Sequence, residues 1–136
     1  MINYIEKGKS LHKEIVSQGY HIINQDGVWQ SSDDVAVQAI IDAYDPLPFA
    51  KNEAIARIKK HAAILVNAIY PHIDPNSSDV IGFYNYTVDM YSGSFPLTGR
   101  LLELKTVRDS AVTKIAEVNA LVDWQSCDTY DATSGW

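Results

Sequence analysis

Four histidines, His12, His21, His61 and His72, are the side chains best suited to proton transfer near neutral pH or to holding a transition metal. Their spacing does not serve either task. No HxxxH or HExxH pair occurs, and His12 and His21 stand nine residues apart with Gly19 between them. A zinc site needs three or four converging ligands, so surface positions are the better expectation for all four. The adjacent carboxylates Asp33 and Asp34 suggest acid–base work or a cation. Neighbouring positions on a helix do not face each other, however, and capping of a helix N-terminus accounts for both. Asp74-Pro75-Asn76-Ser77-Ser78-Asp79 is rich in oxygen ligands but lacks the glycine and the closing glutamate of a calcium loop. It reads as a helix connection with caps. Ser94 and the other serines have no base at a recognised spacing, and Gly93 and Gly99 build no phosphate loop. The sequence thus predicts no catalytic residue, no metal site and no cofactor.

A single cysteine, Cys127, excludes a disulfide within the chain and a cysteine zinc site. It is expected as an exposed free thiol near a helix end, which suits a reducing cytoplasm. The one basic cluster is Arg57, Lys59, Lys60 and His61. In a chain of net charge −6, with 17 acidic against 11 basic groups, it fits a solvated helix face better than a grip on nucleic acid. A second use is pairing with the acidic N-terminal part of a neighbouring copy. The aromatic residues carry more information. Eight tyrosines and three tryptophans supply large area with a polar handle, which suits either a subunit interface or a small core. Candidate interface residues are Trp29, Tyr44, Ile58, Leu65, Tyr84, Tyr91, Leu104, Ile115 and Trp124.

The elements that hold these residues divide at Asp45-Pro46-Leu47-Pro48, a stiff and extended joint. Residues 1–45 read as a small αβ docking unit. Ile2–Ile5 suits a strand, Ser10 opens a helix that Gly19 ends, and Tyr20–Ile23 and Val28–Gln30 form a hairpin about the turn 24–27. Ser31–Asp34 caps a helix to Asp45, where Val37, Ile40, Ile41 and Tyr44 make one apolar stripe and Pro46 stops it. About 45 residues make a poor independent core, so this unit should lean on the following helices or on another chain.

Residues 46–136 read as a helical hairpin or bundle with a short polar C-terminal tail. Phe49–Tyr70 is a helix with Ile55, Ile58, Ala62, Leu65, Val66 and Ile69 inward. Asp79–Tyr91 keeps both helical and strand spacing; its caps and its position between two helices favour a helix. Leu97–Trp124 is a second long helix with a near-heptad seam through Leu101, Leu104, Val107, Ala111, Ile115, Val118 and Val122. Single stripes must be buried, within one chain as a helical hairpin or three-helix region, or between chains as a coiled coil. The fold class expected is α+β, mainly helical. At 136 residues and 46% hydrophobic the chain suits a folded domain, and no apolar run reaches the roughly 20 residues of a membrane span. Lys7 and Lys9 are followed by no apolar stretch, so no secretory signal is expected in this form of the chain.

Several segments carry a resemblance. Tyr4-Ile5-Glu6-Lys7-Gly8 with Leu11-His12, then Asp26-Gly27-Val28-Trp29, then Val37-Gln38-Ala39-Ile40-Ile41-Asp42-Ala43-Tyr44-Asp45-Pro46-Leu47-Pro48 resemble the start of small tail proteins of bacteriophages and prophages. A lysine-bearing helix, an aromatic connector and an alanine- and valine-rich final helix closing near Trp124 and Ser134-Gly135-Trp136 are similar in style. The resemblance implies a non-enzymatic virion protein of the tail, assembled in the host cytoplasm. It would act as an adaptor or connector at the tail-fibre or baseplate end. Its implied partners are other tail or tail-fibre proteins and further copies of itself, with no nucleic acid and no membrane span. A tail-fibre assembly chaperone that leaves the finished particle is the alternative. The helical second half departs from the glycine-rich β-repeats of fibre shafts. A small hydrolase and a cellular protein-binding module are the remaining classes.

Overall fold

The computed structural model describes residues 1–69 and 99–136. The fold is α+β and mainly helical. Among the described residues the order is α1 (Lys9–Ser17), β1 (Ile22–Gln25), β2 (Val28–Ser31), α2 (Asp34–Ala43), α3 (Leu47–Ile69), α4 (Gly99–Asn119) and α5 (Trp124–Asp128). The helix expected over Asp79–Tyr91, with its candidate residues Tyr84 and Tyr91, lies outside the described residues, as do His72, the oxygen-rich loop 74–79 and Ser94.

Local chemistry explains the first elements. Gly19 (φ 87°) ends α1 in the left-handed conformation. Its N–H reaches the Val16 carbonyl at 3.0 Å, and the Tyr20 N–H reaches Ile15 at 3.2 Å. That pair of bonds satisfies carbonyls the helix would otherwise leave open. Asp26 and Gly27 both take positive φ (54° and 82°), the twist that a two-residue hairpin turn requires. β1 and β2 pair antiparallel with Ile22 opposite Ser31 and Gln25 opposite Val28. The turn is thus two residues long and β1 runs to Gln25, two residues beyond the expected end.

Residues 2–5 form no strand, contrary to expectation. The Gln38 side chain on α2 takes the place of a strand partner: its Oε1 accepts from the Asn3 N–H at 2.8 Å and its Nε2 donates to the Asn3 carbonyl at 3.1 Å. Ile2 is buried all the same. α2 begins with Asp33 as its cap, accepting from the Ala36 N–H at 3.0 Å. It stops at Ala43 rather than Asp45. There Lys7 Nζ donates to the carbonyls of Ile41 (2.6 Å), Tyr44 (2.8 Å) and Asp42 (3.3 Å), a cation placed at the negative end of the helix. Leu11, Ile15, Ile22, Val37 and Ile41 join Ile2 in one buried cluster, with Trp29, Tyr4, Tyr20 and Tyr44 packed at its rim.

α3 begins at Leu47, and the Ala50 N–H bonds to the Pro46 carbonyl at 3.0 Å. The extended joint therefore shortens to residues 44–46, with Pro46 buried. Ala50, Ala54, Ile58, Ala62, Ala63 and Val66 form the buried face of α3, which packs on α4 and α5. Leu104, Val107, Ala111 and Val118 face it from α4. The last long helix ends at Asn119 rather than Trp124. Asp123 caps a separate short helix by accepting from the Ser126 N–H at 2.8 Å.

The polar tail is a second correction. Residues 129–136 fold back onto the core: Ala132 is buried and Tyr130 and Trp136 pack against the α3–α4 cluster. Asp131 organises the turn, its Oδ1 accepting from the Thr133 N–H and hydroxyl (2.9 Å each) and the Ser134 N–H (3.3 Å). Trp136 Nε1 donates to the Ala132 carbonyl at 2.8 Å.

Candidate functional site

The candidate interface residues separate by burial. Ile58 and Leu104 are 0% exposed and fill the contact between α3 and α4, so they belong to the core of the folded chain. Leu65 and Ile115 are half-buried against the same core. Trp29 is half-buried and stacks on Tyr4, with ring centroids 4.0 Å apart and planes 14° from parallel. Burial raises the Tyr4 hydroxyl pKa, and the Glu6 charge adds to it. Tyr44 is half-buried at the end of α2. Trp124 stands where the first 45 residues meet the C-terminal helices. Gly8 packs beside the Trp124 ring with φ 80°, a backbone angle that favours glycine.

Four basic side chains, Lys7, Lys51, Arg57 and Lys114, are tied to backbone carbonyls. Lys51 Nζ holds Asn119 O at 2.7 Å, at the C-terminus of α4. Arg57 holds Cys127 O at 2.8 Å, at the end of α5. Lys114, itself buried, donates to Ser134 O and lies 5.6 Å from the Trp136 ring. Each cation meets the negative end of a helix or a turn carbonyl. Sequence periodicity carried no sign of these bonds, because each spans a long stretch of chain. Of the basic cluster, Arg57 is therefore committed, His61 packs beside Trp136 with centroids 5.2 Å apart, and Lys59 and Lys60 remain exposed.

The carboxylates behave as caps and turn anchors. Asp34 pairs with the Met1 ammonium at 3.0 Å; the Ser31 hydroxyl and that ammonium hold its pKa below the ordinary range. The Ser126 amide and hydroxyl do the same for Asp123. Hydrogen bonds from Ser134 and Thr133 depress Asp131 strongly. Lys9 lowers Glu53 across a 2.9 Å ion pair that ties α1 to α3. Cys127, expected exposed, is 0% exposed, and burial raises its thiol pKa. Among the described residues no group of three or more His, Cys, Asp or Glu side chains is placed to hold a metal ion, and no helix is long and apolar enough to cross a membrane.

Open grooves line the surface of the described residues. One, of about 380 Å³, lies between α1 and α2 and is lined by Glu14, Tyr20, Ile40 and Tyr44 with Ala39 and Ala43. Another, of about 430 Å³, runs between α3 and the C-terminal turn, past Lys60, His61, Ile64 and Asp131.

No protein-family model, characterised protein or solved structure matches the chain.

Proposed function

We propose that this chain is a structural protein of a bacteriophage tail, an adaptor or connector at the fibre or baseplate end. In this reading it works without catalysis, as a homo-oligomer in contact with other tail proteins, and it resides in the virion after assembly in the host cytoplasm. The observation that carries the reading is the employment of its cations. Lys7, Lys51, Arg57 and Lys114 each clamp backbone carbonyls at the ends of helices or turns. Charged groups so placed stiffen a small fold and leave the work to its outer surfaces. The resemblance of 4–12, 26–29 and 37–48 to small tail proteins supplies the setting.

The open α1–α2 groove favours a second reading, a tail-fibre assembly chaperone, since a cleft lined by Tyr20, Ile40 and Tyr44 suits transient capture of an apolar segment. Quantitative mass spectrometry of purified phage particles separates the two. The connector reading expects this chain in fixed stoichiometry with other tail proteins. A chaperone would be abundant in the lysate and missing from the particle. A gene lying outside any tail cluster, with no copies in particles or tail intermediates, would overturn both.

A further inference from the structure

We infer that copies of this chain associate head to tail, the α1–α2 groove of one copy receiving the Lys60–Ile64 face of α3 from the next. The inference deepens the homo-oligomeric part of the proposed function by naming the contact, and it rests on that reading.

The argument starts from unbalanced charge. Residues 1–45 hold seven carboxylates and three lysines. The lysines do not neutralise those carboxylates: Lys7 faces α2 carbonyls, Lys9 pairs with Glu53 of α3, and Lys13 lies over the Phe49 ring at 5.6 Å. Among the described residues, Asp34 is the one carboxylate of this stretch in an ion pair, and its partner is the chain terminus. α3 has the reverse imbalance, with Lys51, Arg57, Lys59 and Lys60 against Glu53. Lys51 and Arg57 are held by carbonyls, whereas Lys59 and Lys60 project into solvent.

Shape follows charge. Ile64 sits one turn beyond Lys60 on the same face of α3 and is 51% exposed. The α1–α2 groove offers apolar walls, Ile40 with the rings of Tyr20 and Tyr44, and Glu14 as the charged residue of its lining. An exposed apolar side chain and a cation one turn apart on α3 thus match a cleft with apolar walls and one carboxylate, Glu14, on its rim. Asp131 also borders the Lys60 groove, but its carboxylate is bound by the Thr133 and Ser134 turn. The two surfaces differ, so the contact is heterologous and propagates into a ring or a filament.

The test uses the full chain in sedimentation velocity at low ionic strength and at about 1 M salt, where the screening length falls to about 3 Å. Wild type is expected to self-associate at low salt and to weaken at high salt. K60E and E14K are each expected to raise the dissociation constant about tenfold or more, through like-charge contact, while circular dichroism reports an intact fold. An equimolar mixture of the two variants restores every contact with reversed sign at alternate junctions, so it should associate where neither does alone. I64D and A39E, at exposed positions on α3 and in the wall of the α1–α2 groove, provide the same loss should E14K fail to fold. A wild type that stays monomeric, an oligomer indifferent to these substitutions, or a mixture that fails to recover overturns the contact. Particle incorporation of K60E is scored separately: full incorporation with self-association unchanged by K60E would discard this contact and leave the connector reading in place.

Discussion

The two buried clusters among the described residues are built on opposite principles. The one around α1 and α2 is small and made of bulky aliphatic side chains, Leu11, Ile15, Ile22, Val37, Ile41 and Ile2. Its elements are short, and bonds spanning more than thirty residues, from Asn3 to Gln38 and from Lys7 to Ile41 and Tyr44, draw them together. Among the described residues, the cluster between α3 and α4 has alanine at five of its ten buried positions, namely Ala54, Ala62, Ala63, Ala111 and Ala132. There, long helices approach closely because their contact faces are small. One cluster depends on filled volume, the other on closeness.

Substitutions of opposite sense should expose that difference. Leu11→Ala empties the middle of the small cluster and is expected to cost about 2–5 kcal/mol, read as a lower midpoint in urea. Loss of amide-exchange protection should concentrate in residues 9–43; uniform loss across α3 and α4 would mean that the two clusters fail as one unit. Ala62→Leu tests the other cluster by adding volume between α3 and α4. Overpacking of this kind costs about 1–3 kcal/mol, with the exchange effect expected in α3 and α4. A stabilised protein would show slack where the structure has contact.

A polar bond of the first region comes next in size. Lys7→Met keeps most of the aliphatic stem and removes the ammonium, leaving the Ile41 and Tyr44 carbonyls without their donor. An unsatisfied buried group costs about 1–3 kcal/mol. The half-exposed site puts the expected loss at the lower end, with faster exchange in the last turn of α2. An unchanged α2 would assign the termination of this helix to Pro46 alone.

Periodicity made α2, α3 and the middle of α4 legible, because each repeats apolar residues at three- and four-residue steps. The hairpin was legible because Asp26-Gly27 admits the required backbone angles. Residues 2–5 were misread: a β-branched, aromatic run signals a strand only if it finds a ladder, and here Gln38 supplies the partner through its side chain. The C-terminal segment was misread as a tail because its order comes from Asp131, Lys114 and Trp136, each bonded outside any helical repeat. The candidate interface suffered from the same limit. Apolar spacing put Ile58 and Leu104 on inward stripes but could not decide whether those stripes close within one chain or between chains; packing covers both within the chain.

The smallest effect lies in that C-terminal segment and concerns pH. Asp131 is depressed by Ser134 and Thr133, so its carboxylate favours the folded turn. A carboxyl whose folded pKa lies below its unfolded value contributes stability that is complete above the unfolded value, near 3.8. That contribution is lost as pH falls through the folded value. Tyr130 works at the other end. Burial first, and then the adjacent Glu117, push its hydroxyl up to about 12 from 10.0. The neutral phenol therefore stabilises the fold below pH 10 and ceases to do so as pH rises through about 12. Trp136 packs on the same segment, so its fluorescence should report loosening on the acid side below the ordinary carboxyl range and on the alkaline side above pH 10. Asp131→Asn should flatten the acid limb and leave the alkaline limb unchanged, whereas Tyr130→Phe should do the reverse. Equal loss of both limbs in either variant would mean that the whole segment detaches at once, and that the turn and the Tyr130–Glu117 bond are not separate supports.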